Sequence, residues 1–311
     1  MSEPHPSALR PDNKPPSIVG LGTIVVDHQV FLASLPEADT KGEVLEDRHQ
    51  VGGPVPTALS LLQKFGLTTA FQGKWSDDPF GRMIESDLES QSIEFDPSLC
   101  RTAARSGFAH VWVEKETGRR SIAAYRGSDA IEPPDLLLKW ITQFDALHLD
   151  GWSTTAAISA AEAMKQSGGQ VFLDLGSPKS HLAQLLQYVD VINCPEQLIH
   201  RLFASNNIED GAKRILAMGP KEITVTLGDS GAIHFNGEST TRSTKFAVNA
   251  VDTNGAGDVF CGAIIYATVH HWDVEKKITF ACAAAALKCR QLGNRDALPT
   301  LKEIEEFLIS G

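Results

Sequence analysis

The sequence predicts an α/β protein with a mostly parallel central sheet, helices on both faces of that sheet and a small separate sheet. Two observations support this fold class. From Phe144 onward, short apolar strands alternate with helical segments, which is typical of parallel βαβ units. Before that point, alternating runs joined by turn residues predict strands that do not continue the parallel pattern.

The N-terminal part of the chain predicts two strands and a helix, in that order. Residues 17–26 form a short apolar run that ends at Asp27, which predicts a buried first strand. Residues 43–51 alternate, and Gly52-Gly53-Pro54 then interrupts the pattern. An amphipathic helix is predicted to follow over residues 57–65.

The middle of the chain predicts a hairpin. Residues 106–114 and 119–126 alternate and are joined by Lys115-Glu116-Thr117-Gly118, which is typical of a hairpin turn. With the early strands from about residue 31 to residue 51, this hairpin is predicted to form the small separate sheet. The second half then supplies apolar strands and intervening helices: strands at 146–149, 171–175, 189–193 and 222–227, and helices at 155–166 and 212–218.

The composition favours a small-molecule ligand. The formal net charge is −11 and the 28 Lys and Arg residues form no basic run, so neither nucleic acid nor an anionic membrane is expected as a partner. The apolar runs fall short of the ~20 residues that a membrane span needs. Residues 1–17 are rich in Pro and polar residues and lack an apolar signal core, which predicts a disordered tail and a cytoplasmic location.

The five cysteines and ten histidines do not predict a transition-metal site. No Cys-x-x-Cys pair occurs, and three of the cysteines lie in apolar segments, as buried free thiols do. His270 and His271 are adjacent and therefore point to different faces of a helix. Gly20-Leu21-Gly22 lacks the third glycine of a dinucleotide fingerprint and no P-loop motif occurs, so a Rossmann dehydrogenase and a P-loop kinase are excluded.

The segment from Val251 to Phe260 carries the clearest functional signal. Gly255 and Gly257 let the backbone approach a ligand closely, and the helix that follows directs free N–H groups and a partial positive charge toward it. Asp258 lies where it can accept a proton from an attacking hydroxyl. The segment therefore predicts a phosphoryl-transfer centre, although the same residues also occur at an ordinary turn into a helix.

The motif Asp252-Thr253-Asn254-Gly255-Ala256-Gly257-Asp258 resembles the signature of the ribokinase-like (pfkB-type) carbohydrate kinase family. Ala286-Leu287-Lys288-Cys289 and Leu35-Pro36 resemble its fructose and sulfofructose kinase branch. The resemblance implies a three-layer ribokinase-like fold and a kinase domain over residues 18–311. It also implies a small β-sheet lid, with strands inserted at about 31–51 and 106–126, that covers the sugar site and often forms a dimer contact.

The resemblance places the acceptor sugar near the N-terminal motifs. In the family, an Asp at the place of Asp27 holds the hydroxyls of the acceptor, and a double glycine like Gly52-Gly53 closes the backbone on the sugar. Thr57 stands where many members have Asn, so it keeps one hydroxyl contact and loses the second group of the amide. Basic side chains are available on the predicted lid for an anionic acceptor: Lys41, Arg105 and Arg126.

The nucleotide side is assigned from two later motifs. Asn193-Cys194-Pro195-Glu196 resembles the Asn-x-x-Glu of the family, whose residues organise Mg²⁺, water and the nucleotide phosphates, with Glu196 acting on Mg²⁺ through water. The turn that contains Thr226, Gly228 and Gly231 matches the loop that lines ATP, although by itself it indicates only a turn. In some relatives the first signature carboxylate, here Asp252, helps to hold a monovalent cation, which implies K⁺ as a further cofactor.

Together these assignments imply an ATP-dependent sugar kinase that phosphorylates a primary hydroxyl. Asp258 is the expected base, ionised at neutral pH because a helix N-terminus favours the carboxylate. The N–H groups of Gly255, Ala256 and Gly257 form the expected anion hole. The preferred acceptor is a neutral sugar such as ribose or fructose. The alternatives are a phosphosugar, sulfosugar or nucleoside kinase of the same fold, and a non-catalytic sugar or nucleotide sensor.

Overall fold

The computed structural model of the protein describes residues 14–117, 119–127, 130–204, 207–243 and 245–310, without the side chain of Ser310. Residues 1–13 of the predicted disordered tail therefore lie outside the described residues. The strands are β1 Ser17–Leu21, β2 Val25–Leu32, β3 Val44–Gly52, β4 Thr68–Gln72, β5 Phe108–Glu114, β6 Arg120–Tyr125, β7 Ala146–Leu149, β8 Gln170–Asp174, β9 Val191–Pro195, β10 Glu222–Thr226, β11 Ala232–Phe235 and β12 Thr240–Arg242. The helices are α1 Pro54–Lys64, α2 Pro79–Ser90, α3 Pro97–Cys100, α4 Leu138–Ile141, α5 Thr154–Gln166, α6 Leu182–Leu186, α7 Glu196–Phe203, α8 Ile208–Leu216, α9 Ala256–Val269, α10 Val274–Lys288 and α11 Leu301–Ser310.

The central sheet has the strand order β12-β11-β10-β9-β8-β7-β1-β4. The six strands from β10 to β4 are parallel, and β11 and β12 join the β10 edge in antiparallel orientation. The carboxyl ends of the parallel strands consequently meet at one edge, which is where open α/β sheets bind ligands.

Helices cover both faces of this sheet and create two apolar cores. Successive residues of β1 point to opposite sides, so Ile18 packs with the core under α1, α9 and α10, whereas Val19 packs with the core under α5, α7 and α8. The burial of both faces explains why these strands read as continuous apolar runs in the sequence. The predicted three-layer α/β fold with a mostly parallel sheet is confirmed.

The small sheet has the order β3-β2-β5-β6, in which β2 and β5 are parallel and the outer pairs are antiparallel. It contacts the body of the protein through side chains near the signature motif: Arg120 donates to the Thr253 hydroxyl (2.9 Å), and the Gln50 amide oxygen accepts from the backbone N–H of Asn294 (3.1 Å). We call this four-stranded sheet the lid.

The prediction of a single strand over residues 17–26 is wrong. The chain turns between Leu21 and Val25, so the first part forms β1 in the central sheet and the second part begins β2 in the lid. Gly22 permits this turn, because a Cβ atom there would lie 2.8 Å from a carboxylate oxygen of Asp150. The lid therefore begins at residue 25 rather than at about 31, and Asp27 lies within a lid strand instead of following the first strand.

No helix among the described residues combines the length and the apolar character that crossing a bilayer requires.

Candidate active site

A cleft of about 480 Å³ lies between the lid and the carboxyl edge of the central sheet. Four neighbouring strands contribute polar side chains near or directly after their carboxyl ends: Asp150 (β7), Asp174 (β8), Asn193 (β9) and Thr226 (β10). The lid contributes the opposite wall, and Gly257 and Asp258 at the start of α9 complete the cleft. The site is thus formed by residues far apart in the sequence that the topology brings to one edge.

Asp27 projects from the lid into the cleft and is only 8% exposed. Burial raises its pKa to about 6, the negative charge of Asp258 adds to this effect, and a hydrogen bond from the Asn294 side chain opposes it. Gly52, which ends the neighbouring strand β3, leaves space for this carboxylate, because a Cβ atom on Gly52 would lie 2.5 Å from the Asp27 Oδ2 atom. Gly53 has φ 121°, which favours glycine.

The signature motif forms a turn that leads into α9. Gly255 precedes the helix with φ 78°, a conformation that few other residues adopt. Gly257 and Asp258 lie in the first helical turn, where N–H groups have no carbonyl one turn earlier in the helix to which they can donate. The Ala256 N–H group instead donates to the Thr253 carbonyl oxygen (3.3 Å). Gly257 and Asp258 are therefore the better candidates for anion contacts.

The electrostatic environment of Asp258 differs from the one predicted from the sequence. Burial raises the pKa of Asp258 to about 6, against the opposing effects of Arg295 and Lys288. The loss of hydration therefore raises the pKa of Asp258 by more than the helix N-terminus lowers it, whereas the sequence argument considered only the helix N-terminus. The carboxylate is still largely ionised at pH 7, and it is a stronger base than an ordinary aspartate.

Several side chains that the sequence argument did not single out surround these two aspartates. Arg295 donates to the Thr57 hydroxyl (3.1 Å) and to the Asp87 carboxylate (3.0 Å), and its charge lowers the pKa of both Asp27 and Asp258. It reaches the site from the loop after α10, which carried no recognisable signal. Thr57 itself is buried in α1 and is held by Arg295.

Asp150 and Asp174 were also missed, although both follow the pattern of a carboxylate at a strand end. Asp150 accepts hydrogen bonds from the backbone N–H groups of Thr23 (2.7 Å) and Trp152 (2.8 Å), so it fixes the turn between β1 and β2. Burial and the nearby charges of Asp258 and Asp150 raise the pKa of Asp174. Asp174 lies directly opposite Asn193 on the neighbouring strand.

Two cations line the outer part of the cleft. The Arg126 guanidinium lies 4.7 Å and the Lys179 ammonium 5.2 Å from the centre of the Trp152 ring. Burial lowers the pKa of Lys179, and the charge of Asp150 opposes this effect. The cleft therefore carries positive charge around Trp152 in addition to the four carboxyl groups of Asp27, Asp150, Asp174 and Asp258.

Comparison with known proteins decides the family. The family model for the pfkB family carbohydrate kinases matches residues 16–301, which is most of the chain. The chain belongs to the pfkB family of carbohydrate kinases. It is therefore a carbohydrate kinase, a phosphotransferase whose acceptor is an alcohol group, and the sequence-based family assignment is confirmed.

Relatives of this kinase support the same conclusion. The chain is 26% identical over 321 residues to fructokinase-2 of Solanum habrochaites, covering 94% of this chain and 96% of that protein. It is 26% identical over 322 residues to a 5-dehydro-2-deoxygluconokinase of Geobacillus thermodenitrificans, covering 96% and 94%. The structure of an Arabidopsis thaliana ribokinase complexed with ribose and ATP has the same fold, with a TM-score of 0.81, 24% identity and coverage of 95% of this chain and 99% of that one.

The structure brings some of the predicted site residues into the cleft and leaves others at its margin. Asp27, Gly53, Asn193, Thr226, Gly257 and Asp258 line it. Lys41 lies exposed in the connection between β2 and β3, and it does not line the cleft. Other predicted residues lie near the same edge without lining the cleft: Glu196 at the start of α7, and Gly228 and Gly231 in and after the short 3₁₀ turn that follows β10.

Proposed function

We propose that this carbohydrate kinase transfers the γ-phosphoryl group of ATP to a sugar hydroxyl held between Asp27 and Asp258. The observation that carries the proposal is that these carboxylates, one from the lid and one from the signature helix, line the same cleft, where the charge of Asp258 raises the pKa of Asp27. Asp27 accepts hydrogen bonds from sugar hydroxyls, which leaves Asp258 free for the reacting hydroxyl.

Residues at the start of α9 carry out the proton transfer and stabilise the charge that develops during phosphoryl transfer. Asp258 accepts the proton of the attacking hydroxyl while the new O–P bond forms and the bond from the γ-phosphorus to the bridging oxygen breaks, releasing ADP. Of the predicted anion hole of Gly255, Ala256 and Gly257, we keep Gly255 and Gly257 and add the Asp258 N–H group, because the Ala256 N–H group already donates to the Thr253 carbonyl oxygen. A positioned base contributes about 10²–10⁴-fold to such a rate.

The cleft also fits ATP with Mg²⁺. The Asn193 Oδ1 atom is buried without a hydrogen-bond partner among the described residues, and Asp174 lies beside it on the next strand. Amide and carboxylate oxygens suit the hydration shell of Mg²⁺, so we assign Asn193, Asp174 and Glu196 to hold Mg²⁺ through water. When bound, the ion neutralises phosphate charge. Thr226, Gly228 and Gly231 would line the nucleotide, because they lie at and after the end of β10, beside this edge of the sheet.

The acceptor class has two candidates. A neutral sugar such as fructose or ribose is favoured by the fructokinase relatives and by the polar, hydroxyl-binding surroundings of Asp27. A sugar that carries a phosphate, sulfonate or carboxylate is favoured by Arg126 and Lys179, which line the cleft and form no ion pair among those found in the described part of the chain. Arg105 contacts Phe108 and Tyr125 on the lid and does not line the cleft.

We also propose that residues 18–311 form one kinase domain and that two copies associate through their lids. The lid exposes large apolar side chains outside the cleft: Val44, Leu45 and Trp112 are 43–55% exposed in the single chain. Such a surface is typical of an interface. Sedimentation analysis of the wild type beside Trp112→Glu tests this assembly. A cytoplasmic location stays a prediction.

A coupled ADP-release assay tests the function. The enzyme is supplied with Mg-ATP and a panel of neutral sugars, phosphosugars, a sulfosugar, sugar acids and nucleosides, with Asp258→Asn as the matched variant. We expect a sugar-dependent rate in the wild type and a loss of about 10²–10⁴-fold in the variant. Binding of a sugar without turnover across the panel would instead support a sugar sensor.

A further inference from the structure

The resemblance implied a monovalent cation at Asp252, and the residues present do not fit one. The Lys288 ammonium lies 3.0 Å from the Asp252 carbonyl oxygen and 3.3 Å from its Oδ2 atom. Both carboxylate oxygens of Asp252 also accept backbone hydrogen bonds. Oδ1 accepts from the Asn254 N–H group (2.9 Å), and Oδ2 accepts from the Gly293 N–H group (3.2 Å). The oxygens that would bind K⁺ already bind nitrogen donors.

Lys288 is placed to act as a cation under the signature turn: burial lowers its pKa, and the charge of Asp252 and their hydrogen bond oppose this effect. Its side chain is 0% exposed. Lys288 is the last residue of α10, and a helix C-terminus favours positive charge. The aliphatic part passes close to the turn, since a Cβ atom on Gly255 would lie 3.7 Å from the Lys288 Cε atom. The ammonium group therefore fixes Asp252 at one end of the turn whose other end carries Asp258.

We infer that the Lys288 ammonium takes the place of the monovalent cation, so that this kinase needs no K⁺. Lys288 is a positioning residue: it holds the Asp252–Gly255 turn and supplies positive charge beneath the site of phosphoryl transfer. A K⁺ ion beside the ammonium would meet a like charge and oxygens that are already hydrogen-bonded. This inference rests on the proposed function for its kinetic test, but not for its binding test.

The kinetic test compares turnover in KCl, NaCl and choline chloride at equal ionic strength. The wild type is expected to turn over equally in all three, whereas Lys288→Ala is expected to lose about tenfold or more and to recover in KCl but not in choline chloride. Lys302→Ala, which removes an exposed lysine of α11, is the matched control. Strong activation of the wild type by K⁺, or a loss in Lys288→Ala that no cation reverses, overturns the inference.

The binding test does not depend on turnover. Thermal unfolding is followed for the wild type and Lys288→Ala in the same three salts. A rise in Tm that is specific to K⁺ in the variant and absent in the wild type supports the inference. An equal K⁺ effect in both proteins contradicts it. If no sugar supports turnover, the proposed function fails, and this measurement still decides the role of Lys288.

A second observation, on the other face of the lid, carries an independent proposal. His49, His28 and His110 lie directly opposite one another on β3, β2 and β5. Asp27 and Ala109, one position earlier, line the cleft, so the histidines point to the outer face because strand side chains alternate. His28 Nε2 lies 3.0 Å from Asp47 Oδ2, and the ligand atoms of His28, Asp47 and His49 all lie within 4.8 Å of one another.

The geometry points to a transition-metal site formed by His28, Asp47 and His49. Donor atoms around a tetrahedral Zn²⁺ lie about 3.3 Å apart, close to the observed His28–Asp47 distance. The other ring nitrogen of His28 lies 3.3 Å from His110 Nδ1, which can accept the hydrogen bond from a ligating His28 when its own proton is on Nε2. The His28 and His49 rings are parallel, so the exposed His49 ring has to turn about its soft χ2 angle to direct its nitrogen at the ion.

Metal titration of the full chain, without nucleotide or Mg²⁺, tests this site. Zn²⁺ binding is measured by calorimetry and Co²⁺ binding by its visible absorption, for the wild type, Asp47→Asn and His49→Ala. We expect one ion per chain, a loss of about 10–100-fold in affinity in each variant, and unchanged binding in His271→Asn, which removes an exposed histidine outside the lid. Equal affinity in all four proteins, or no binding by the wild type, overturns the proposal.

Discussion

The acid limb of the pH–rate profile tests the roles of Asp258 and Asp27 quantitatively. A base must be ionised to accept a proton, and the pKa of Asp258 is raised to about 6 by burial. About half of the enzyme is then competent at pH 6 and about a tenth at pH 5. If sugar binding also requires ionised Asp27, whose pKa is likewise about 6, the two fractions multiply. We therefore expect kcat/KM to fall about 10–100-fold between pH 7 and pH 5, with apparent pKa values that belong to the pair.

Removal of Arg295 should move this limb in a defined direction. Arg295 lowers the pKa of both aspartates, so Arg295→Met should raise both values and shift the limb to higher pH. Arg82→Met, which removes an exposed arginine of α2 paired with Asp77, is the control and should leave the limb unchanged. The assay is coupled ADP release at constant ionic strength, with the Tm of each variant measured at every pH. A limb centred below about pH 4.5, as for an ordinary aspartate, or a shift of Arg295→Met to lower pH, would refute the reasoning.

The remaining predictions concern stability and specificity. Asp258→Asn should raise the Tm by about 2–4 °C at pH 8. The folded pKa of about 6 lies above the unfolded value, so the wild type loses folding free energy as the pH rises from the unfolded pKa to about 6 and stays less stable above it. The gain should vanish at pH 4, and a lower Tm at pH 8 would contradict it. Gly52→Ala should raise the KM for the sugar far more than it changes the KM for ATP, since the new Cβ displaces the Asp27 carboxylate; equal effects on both constants would count against Asp27 as the sugar ligand. Replacing Arg126 and Lys179 by Met should abolish the preference for an anionic acceptor if one is used, and leave a neutral acceptor almost unaffected; the ratio of kcat/KM for matched phosphorylated and free sugars measures this.

The fold could be predicted from the sequence because its main signals are local. Apolar strands alternating with helices gave the parallel sheet, and the hairpin after residue 106 marked the lid. The run over residues 17–26 was misread because its apolar character continues through a turn, and only the close approach of Gly22 to Asp150 shows why the chain bends there. Periodicity alone does not separate one buried strand from two.

The site could be predicted only in part, because some of its contacts join residues remote in sequence. The signature motif identified Asp258 directly, and Asp150 and Asp174 could have been found from their positions at strand ends. Arg295 and Lys288 carry no such signal, since each acts through partners that only the fold brings near. The row of lid histidines was hidden for the same reason: neighbours across three strands have no regular spacing along the chain.

The most direct test of the central claim is to detect the product itself. The acceptor found in the panel is incubated with Mg-ATP and either the wild type or Asp258→Asn, and the sugar is then examined by mass spectrometry while its binding to each protein is measured by calorimetry. The account predicts a sugar one phosphoryl group heavier with the wild type, and unchanged sugar with a variant that still binds it. Product formed by Asp258→Asn at nearly the wild-type rate would contradict the assignment of Asp258 as the base.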